Sequence, residues 1–318
     1  MSLKPLVSII VPCKEIDGYT RECIEYCRRL DYGNFEILLL PDYSTETIDG
    51  VKLITTGPVS PGVKRNSGVK NSSGEYCAFI DNDAYPRSDW LTNALKHFQD
   101  SDVGGVGGPG LTPESDGLMQ KAGGYVLSSF MVGMLSKRYK TKSSFVSNDI
   151  HSCNFIARKE IIESAGGWNE KYWPGEDTLM CLAIKKLDKK LIESSDTIVY
   201  HHRRSLFKAH LKQVSRFGEH RGFFVKKFPE NSFKTTYFFP SLLICSLILG
   251  IIISLLLPFF AYILLFGVVL YLSLSLVAAA TQAKTVRLLL LVWFGIITTH
   301  LIYGSYFLSG LMKRDLKR

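Results

Sequence analysis

Residues 64–83 read KRNSGVKNSSGEYCAFIDND, and this stretch decides the fold. Within it, the run Tyr76–Ile80 is short, apolar and bounded by polar residues, which predicts a buried β-strand. Asp81 and Asp83 follow directly, so two carboxylates spaced i, i+2 stand at the carboxyl end of that strand. Carboxylate oxygens at such a position can hold Mg²⁺ or Mn²⁺ and neutralise phosphates. Acidic turns after strands are also common without a ligand, so the motif needs support from the rest of the chain.

Strand and helix patterns alternate on both sides of this segment. Short apolar runs predict strands at residues 6–12, 35–40, 51–55, 103–108, 155–157 and 197–200. Helices are predicted at residues 20–30, 63–71, 89–98, 159–165, 178–187 and 205–228. Such alternation is typical of a doubly wound, mostly parallel sheet that binds ligands at the carboxyl ends of its strands. The sequence therefore predicts a Rossmann-like α/β domain over residues 1–228.

The C-terminal part of the chain has a different composition. Between Tyr237 and Gly310 the only charged side chains are those of Lys284 and Arg287. Three apolar segments, at residues 237–257, 259–280 and 288–310, each reach the ~20 residues that a helix needs to cross a bilayer. We expect residues 229–318 to form an all-α transmembrane segment with about three hydrophobic helices.

Charge supports a membrane and argues against nucleic acid. Residues 235–318 carry +5 of the net charge of +9. Basic residues beside membrane spans follow the positive-inside bias and the attraction to anionic lipid, whereas no basic-aromatic module typical of nucleic-acid binding occurs. Three full spans would, however, place the basic terminus 312–318 opposite a cytosolic catalytic domain, against the positive-inside rule. The third segment contains His300 and several hydroxyl groups, so a re-entrant or interfacial course stays open.

The cysteines and the N-terminus indicate the compartment. Seven cysteines occur with no CxxC pair, most of them in apolar runs, which indicates free thiols in a reducing compartment. The apolar run in MSLKPLVSIIVPC is too short for a signal peptide and resembles a first buried strand. We expect the soluble domain to be cytosolic, at a plasma-type membrane that the tail crosses several times.

Further polar residues lie where a nucleotide is expected to bind. Asp42 ends the strand at 35–40, where a carboxylate can accept hydrogen bonds from a base or simply form the turn after Pro41. Arg65 and Asn66 follow a Gly/Pro loop, which places a cation and an amide near the same edge of the sheet. The alternative for this pair is the solvated start of a helix.

Two more clusters carry groups suited to catalysis. Glu176 and Asp177 open a helix after an aromatic turn, where a carboxylate can act as a general base or merely interact with the helix dipole. His201 and His202 end the last strand, where an imidazole can complete a metal site or serve the structure.

The ordered set VSIIVP, FEILLLPDYS, KRNSGVKNSSGEYCAFIDND, GGW with GED, and VYHH resembles family-2 glycosyltransferases of the GT-A fold over residues 5–225. The resemblance implies an inverting, metal-dependent transfer of a sugar from a nucleotide-sugar. It implies that the donor is bound by Pro12, Glu15, Asp42, Arg65, Asn66 and Asp81. It also implies a Mg²⁺ or Mn²⁺ site at Asp83 and His201, with His202 as runner-up, and catalysis by the base Asp177 with Glu176 beside it.

Two positions depart from the family pattern. The second strand ends in Pro41-Asp42 rather than in an Asp pair, so the contacts to the base differ. The QxxRW motif of processive polysaccharide synthases appears at 213–217 as QVSRF, with phenylalanine in place of tryptophan. Three hydrophobic segments are also few for a translocation channel. We therefore predict a single-transfer enzyme, with Trp168, Gln213 and Arg216 on the acceptor side.

The membrane segment suggests the acceptor. A polyprenyl phosphate or a lipid-linked glycan keeps its apolar tail in the bilayer while its head reaches a cytosolic site, so we expect a role in glycan or polysaccharide assembly. Two alternatives stay open: a processive polysaccharide synthase, and a non-catalytic membrane-bound sensor of sugar nucleotides. The combination of a metal site with a base argues against the sensor, which needs no base.

Overall fold

The computed structural model describes residues 4–44, 46–133, 139 and 143–316. The chain forms two compact units, of which the first comprises Met1–Leu111 and Arg138–His202 and the second Thr112–Lys137 and Arg203–Arg318. The helices of the second unit thus include a segment from the middle of the chain. The division at residue 228 into a catalytic and a membrane domain stays a prediction.

Within the described residues, the strands are β1 (Val7–Pro12), β2 (Phe35–Leu40), β3 (Val51–Leu53), β4 (Tyr76–Phe79), β5 (Ala84–Pro86), β6 (Val103–Gly107), β7 (Gly110–Leu111), β8 (Phe145–Ser147), β9 (Phe155–Arg158), β10 (Lys190–Glu193) and β11 (Val199–His201). The helices are α1 (Gly18–Arg28), α2 (Pro61–Asn71), α3 (Trp90–Lys96), α4 (Leu118–Ser128), α5 (Phe130–Gly133), α6 (Lys159–Ser164), α7 (Glu176–Lys186), α8 (Lys208–Lys227), α9 (Pro229–Ser232), α10 (Phe239–Leu256), α11 (Phe260–Ala280) and α12 (Val286–Met312). Short 3₁₀ turns lie at His97–Gln99, Ser152–Asn154 and Thr235–Phe238.

The first unit is built on a mixed sheet of eight strands in the order β3-β2-β1-β4-β9-β6-β10-β8. Strands β3, β2, β1 and β4 run parallel, whereas β9 is antiparallel to both of its neighbours. All residues of β1 and β4 are buried, because helices cover both faces of a parallel sheet. The predicted α/β fold with a mostly parallel sheet is confirmed.

A second, three-stranded sheet was not predicted. It has the order β5-β11-β7, and its strands are only two or three residues long. Runs this short carry no recognisable hydrophobic period, so the sequence predicted only the last of them. We call these three strands the small sheet.

The second unit consists of helices. Its three C-terminal segments, Thr235–Leu256, Phe260–Ala280 and Val286–Met312, are helical, long and apolar enough to cross a membrane, as predicted. The last of them is a continuous helix of 27 residues, so no break marks a re-entrant course. It packs closely along α8, where a Cβ atom on Gly222 would lie 2.1 Å from the carbonyl oxygen of Phe307.

Candidate active site

The acidic turn after β4 meets the end of β11 through the small sheet. The turn closes where the backbone N–H of Ala84 donates to the carbonyl of Asp81 over 3.0 Å. Strand β5 then pairs with β11 so that Ala84 stands opposite His201. This register brings His201 Nε2 to 3.2 Å from Asp83 Oδ1. Ligand atoms of Asp81, Asp83 and His201 all lie within 4.8 Å of one another.

This Asp-Asp-His cluster has the chemistry of a divalent-cation site. Carboxylate oxygens suit Mg²⁺ and Mn²⁺, and one imidazole favours Mn²⁺ without excluding Mg²⁺. All three side chains are half-buried, so a ligand can reach them from solvent. The geometry adds Asp81 as a third candidate to the predicted pair of Asp83 and His201.

The two adjacent histidines face different surroundings. Nε2 of His202 lies 2.8 Å from Glu22 Oε2, and its ring packs 4.5 Å from that of Tyr19. His201 instead joins the cluster. Successive side chains of a strand point to opposite sides, and the structure shows which of the two faces the carboxylates.

A chain of hydrogen bonds holds the other nitrogen of His201. Nδ1 of His201 lies 3.4 Å from Cys153 Sγ, which lies 2.8 Å from His151 Nδ1. Nε2 of His151 lies 3.3 Å from the carbonyl oxygen of Gly108, which can only accept. The pattern therefore assigns a proton to His151 Nε2, which leaves Nδ1 of His151 free to accept from the Cys153 thiol. With a cation in the cluster, Nε2 of His201 would bind it through its lone pair, and Nδ1–H of His201 would then donate to the sulfur.

Sequence reasoning missed His151 and Cys153. His151 directly precedes the 3₁₀ turn before β9 and Cys153 lies within it, in a segment for which the sequence predicted no element. The sequence signal for these residues is an H-x-C pattern before an apolar run. That pattern alone does not show that the cysteine contacts His201, which is 48 residues away in the chain.

A single buried arginine connects the cluster to the start of α7. Arg65 donates from Nη2 to Asp81 Oδ1 over 2.9 Å and from Nη1 to Glu176 Oε1 over 2.8 Å. Its side chain is only 3% exposed, and its guanidinium lies 5.0 Å from the centre of the Trp168 ring. Burial lowers the pKa of Arg65, but Asp81 and Glu176 outweigh burial and the pKa ends above its usual value.

The start of α7 carries two acids in different environments. Gly175, with φ of +117°, allows the chain to turn into the helix, and Glu176 and Asp177 occupy its first turn. Burial raises the pKa of Glu176 to about 7; Asp177 acts in the same direction and Arg65 in the opposite one. Asp177 is half-buried, and its Oδ1 accepts from the backbone N–H of Thr178 over 2.8 Å. Of the two acids, Asp177 is the one that solvent or a substrate can reach.

Replacing Glu176 with glutamine is expected to flatten the pH dependence of unfolding. The folded state raises the pKa of this carboxyl group from its ordinary 4.5 to about 7, so the folded protein binds a proton that the unfolded chain has lost. Stability present at low pH is then lost as pH rises through the folded pKa. Between about pH 5 and about pH 8, the Tm of the unmodified protein should fall relative to that of Glu176→Gln. The control is Glu163→Gln, which changes an exposed glutamate and should follow the unmodified protein. If the Tm of Glu176→Gln and that of the unmodified protein changed with pH in parallel, the raised pKa would be contradicted.

The remaining residues predicted to bind the donor lie at the carboxyl edge of the large sheet. Pro12 ends β1 opposite Leu40 of β2, and the exposed Glu15 lies in the loop that follows. Asp42 Oδ1 accepts from Lys64 Nζ over 2.6 Å, and this buried lysine also donates to the carbonyls of Cys13 and Leu40. Sequence reasoning missed Lys64, because a lysine near a helix start is usually solvated. The donor roles of Pro12, Glu15 and Asp42 stay predictions.

Asn66 is engaged in holding a loop. Its amide nitrogen donates to Trp168 O and Glu170 Oε1, both over 2.9 Å, and its oxygen accepts from the Trp168 N–H over 2.7 Å. These bonds use both of its donors, so the predicted contact with the nucleotide finds no support in this geometry. They fix the turn that precedes α7.

The three predicted acceptor-side residues are divided between the two units. Trp168 is 2% exposed and packs its ring against Phe79 and Phe155, beneath Arg65. Such burial does not favour contact with an acceptor. Gln213 and Arg216 lie on α8 of the second unit, half-buried and exposed respectively. Their acceptor role stays a prediction.

Comparisons with known proteins identify the family. A family model described as Glycosyl transferase family 2 matches residues 8–166. The dolichyl N-acetyl-alpha-D-glucosaminyl phosphate 3-beta-D-2,3-diacetamido-2,3-dideoxy-beta-D-glucuronosyltransferase of Methanococcus voltae is 25% identical over 245 residues, which cover 70% of this chain and 74% of the relative. The O-antigen biosynthesis protein RfbC of Myxococcus xanthus is 28% identical over 223 residues, which cover 62% of this chain and 17% of that protein.

A solved structure shares the fold. The mannosyltransferase PcManGT from Pyrobaculum calidifontis, in complex with GDP-Man and Mn²⁺, superposes with a TM-score of 0.58 at 18% identity. The match covers 99% of this chain and 89% of that one. At this identity, the likeness shows the fold.

Proposed function

Because the chain belongs to glycosyltransferase family 2, we propose that it transfers a sugar from a nucleotide-sugar to a lipid-linked acceptor at the cytosolic face of a membrane, in a cation-dependent, inverting single displacement. One observation carries the proposal: Arg65 ties the Asp-Asp-His cluster to the first turn of α7, where Asp177 stands. A leaving-group site and a candidate base are thereby held by one buried side chain.

The residues divide the chemistry between them. Asp83 and His201, with Asp81 beside them, would hold Mg²⁺ or Mn²⁺, and the cation would stabilise the charge of the departing nucleoside diphosphate. Asp177 takes the proton from an acceptor hydroxyl group. The oxygen of that hydroxyl bonds to the anomeric carbon as the bond from this carbon to the diphosphate breaks. Arg65 keeps Asp81 and Glu176 in place, and Trp168 supports Arg65 from the core.

The acceptor is proposed from the helices and from a relative. Three helices are long and apolar enough to hold the enzyme in a bilayer, where a polyprenyl phosphate or a lipid-linked glycan resides. The name of the Methanococcus voltae relative specifies a dolichyl-phosphate-linked sugar, which is an acceptor of this chemistry. If the attacking group is a phosphate instead of a hydroxyl, little base catalysis is needed, and Asp177 then orients the acceptor.

The proposal is tested with detergent-solubilised full-length protein and a panel of UDP-, GDP- and dTDP-sugars. Released nucleoside diphosphate is measured with Mn²⁺, Mg²⁺ or chelator, and with or without polyprenyl phosphate. Release from one donor that requires the cation and rises with the lipid supports the proposal. Cation-independent release would remove the metal role, and many sugars added to one acceptor would favour a processive synthase.

Replacing Cys153 with alanine is expected to weaken Mn²⁺ binding about 10–100-fold, because a partner that fixes the tautomer of a metal-ligating histidine contributes on that scale. Cys153→Ser keeps a group that both donates and accepts, so it should retain most of the affinity. Mn²⁺ binding is measured by electron paramagnetic resonance, and the tautomer of His201 by ¹⁵N chemical shifts in protein saturated with diamagnetic Mg²⁺. Unchanged affinity together with an unchanged tautomer in Cys153→Ala would contradict the positioning role.

A further inference from the structure

We propose that only α10 and α11 enter the bilayer, as a hairpin, whereas α12 lies along the membrane surface beside α8. Both ends of the hairpin and the basic C-terminus then stand on the side of α8. The inference rests on the membrane anchorage in the proposed function and adds the course of the chain at the bilayer. It does not depend on catalysis.

Helices α8 and α12 run side by side in the same direction. Their contacts advance together along both helices: His210 Nε2 with Thr299 Oγ1 (2.9 Å), Gly218 with Tyr303, Gly222 with Phe307, and Lys226 Nζ with the carbonyl oxygen of Lys313 (2.7 Å). The glycines allow the two backbones to touch, since a Cβ atom on Gly218 would lie 2.6 Å from the Tyr303 carbonyl oxygen. The C-terminal half of α12 is therefore placed wherever α8 is placed.

Helix α8 is not a membrane-embedded helix. Along its 20 residues it exposes Lys208, Lys212, Arg216, Lys226 and Lys227. Ionised side chains facing hydrocarbon are costly, whereas basic side chains at the surface are attracted to anionic headgroups. A helix of this composition lies at the interface, so residues 299–312 of α12 lie there too.

The N-terminal half of α12 is also covered by elements that do not span a bilayer. Gly295 faces the side chains of Val126 and Leu206, and at the middle of the helix His300 Nε2 lies 3.1 Å from the carbonyl oxygen of Met131. Val126 belongs to α4, whose 11 residues are too few to cross.

The described hydrogen bonds between α12 and the hairpin lie in the half of the hairpin that contains its open end, where α10 begins and α11 ends. One of them joins Tyr271 Oη and His300 Nδ1 over 2.9 Å, near the middle of α11. In the first turn of α10, Ser241 Oγ donates to the carbonyl oxygen of Gly304 over 3.0 Å. Near the end of α11, Ser275 Oγ accepts from Trp293 Nε1 over 2.9 Å.

At the closed end of the hairpin, where α10 connects to α11, large apolar side chains are exposed. Leu255 and Leu256 are 80% and 75% exposed, and Tyr262 and Phe266 are 73% and 68% exposed. A third crossing helix that traversed with the pair would be expected to shield this end. The connection at residues 257–259 reads LPF and carries no charge, which suits an end buried in lipid.

The positions of the basic residues also agree with this course of the chain. With two membrane-inserted helices, the connection with Lys284 and Arg287 and the terminus with Lys313 and Arg314 are on the same side as α8. The positive-inside rule then holds for every basic group flanking the hairpin, whereas a third crossing would send the terminus to the opposite side.

The test maps the side on which Asp315 lies. Full-length protein carrying Cys245→Ser, which removes the exposed cysteine and leaves the six buried ones, receives one new cysteine at a time in membrane vesicles of known orientation. Asp315→Cys is compared with Lys227→Cys on α8 and Lys284→Cys in the α11–α12 connection, using a membrane-impermeant maleimide.

We expect all three cysteines to be labelled from the same face. Labelling of Asp315→Cys from the opposite face would show that α12 crosses, and its protection from both faces would place the terminus inside the bilayer; either result overturns the inference. Labelling of Lys227→Cys and Lys284→Cys from opposite faces would reject the hairpin itself. Sugar transfer is measured separately on the same preparations, so loss of activity and wrong topology are told apart.

Discussion

The variant Asp83→Ala is expected to lose transfer activity at least about 10³-fold, because a cation that neutralises a departing diphosphate supplies several kcal/mol and each 1.36 kcal/mol is tenfold in rate. Oδ1 of Asp83 lies 3.2 Å from Nε2 of His201, and the ligand atoms of Asp83 and Asp81 lie within 4.8 Å of each other. The substitution therefore removes a carboxylate from the cluster. Mn²⁺ affinity, measured by electron paramagnetic resonance, should fall in parallel.

Two controls separate this effect from damage to the fold. Asp49→Ala removes an exposed carboxylate from the loop before β3 and should leave activity unchanged. Asp83→Asn keeps one oxygen ligand without its charge, so its transfer activity should lie between that of the unmodified protein and that of Asp83→Ala. Near-normal turnover in Asp83→Ala, with normal Tm, would remove the metal role of this residue.

The variant Asp177→Asn is expected to bind donor normally and to lose about 10²–10⁴-fold in transfer to a hydroxyl acceptor, which is the usual contribution of a general base. The amide keeps the oxygen that accepts from the Thr178 N–H, so the first turn of α7 should stay intact. Donor affinity is measured by isothermal titration, and transfer by product formation under saturating donor.

The matched control is Asp188→Asn, just beyond the opposite end of α7. This exposed residue has φ of +55°, a conformation that asparagine also adopts readily, so the control should have full activity. Equal transfer by Asp177→Asn and the unmodified enzyme would reject the base assignment and favour an acceptor whose attacking group is a phosphate.

Several features of this protein follow from sequence because they are local. The continuous apolar runs of β1, β2 and β4 identify buried parallel strands, and the turn at 81–83 follows from the end of one of them. The helices of the tail also follow from sequence, since segments of 18 to 27 residues with almost no charge are long and apolar enough to associate with a bilayer. Family membership rests on the order of such motifs along the chain.

Other features depend on pairing between distant residues. Nothing local indicates that β9 runs antiparallel between β4 and β6, or that the three-residue strands β5 and β11 pair. That pairing chooses His201 over His202, because adjacent residues of a strand face opposite sides and the register alone decides which side meets Asp83. The same applies to Lys64, whose burial against Asp42 no sequence pattern indicates.

By itself, then, the sequence determined the α/β class, the family motifs and the apolar tail, since each is encoded by residues close together in the chain. The tertiary structure decided which residues meet at the site: the Arg65 bridge spans 111 residues of sequence to Glu176, and the Cys153 contact to His201 spans 48. It also grouped residues 112–137 with the C-terminal helices. Contacts of this range depend on the strand order and helix packing of the whole chain, which no local propensity specifies.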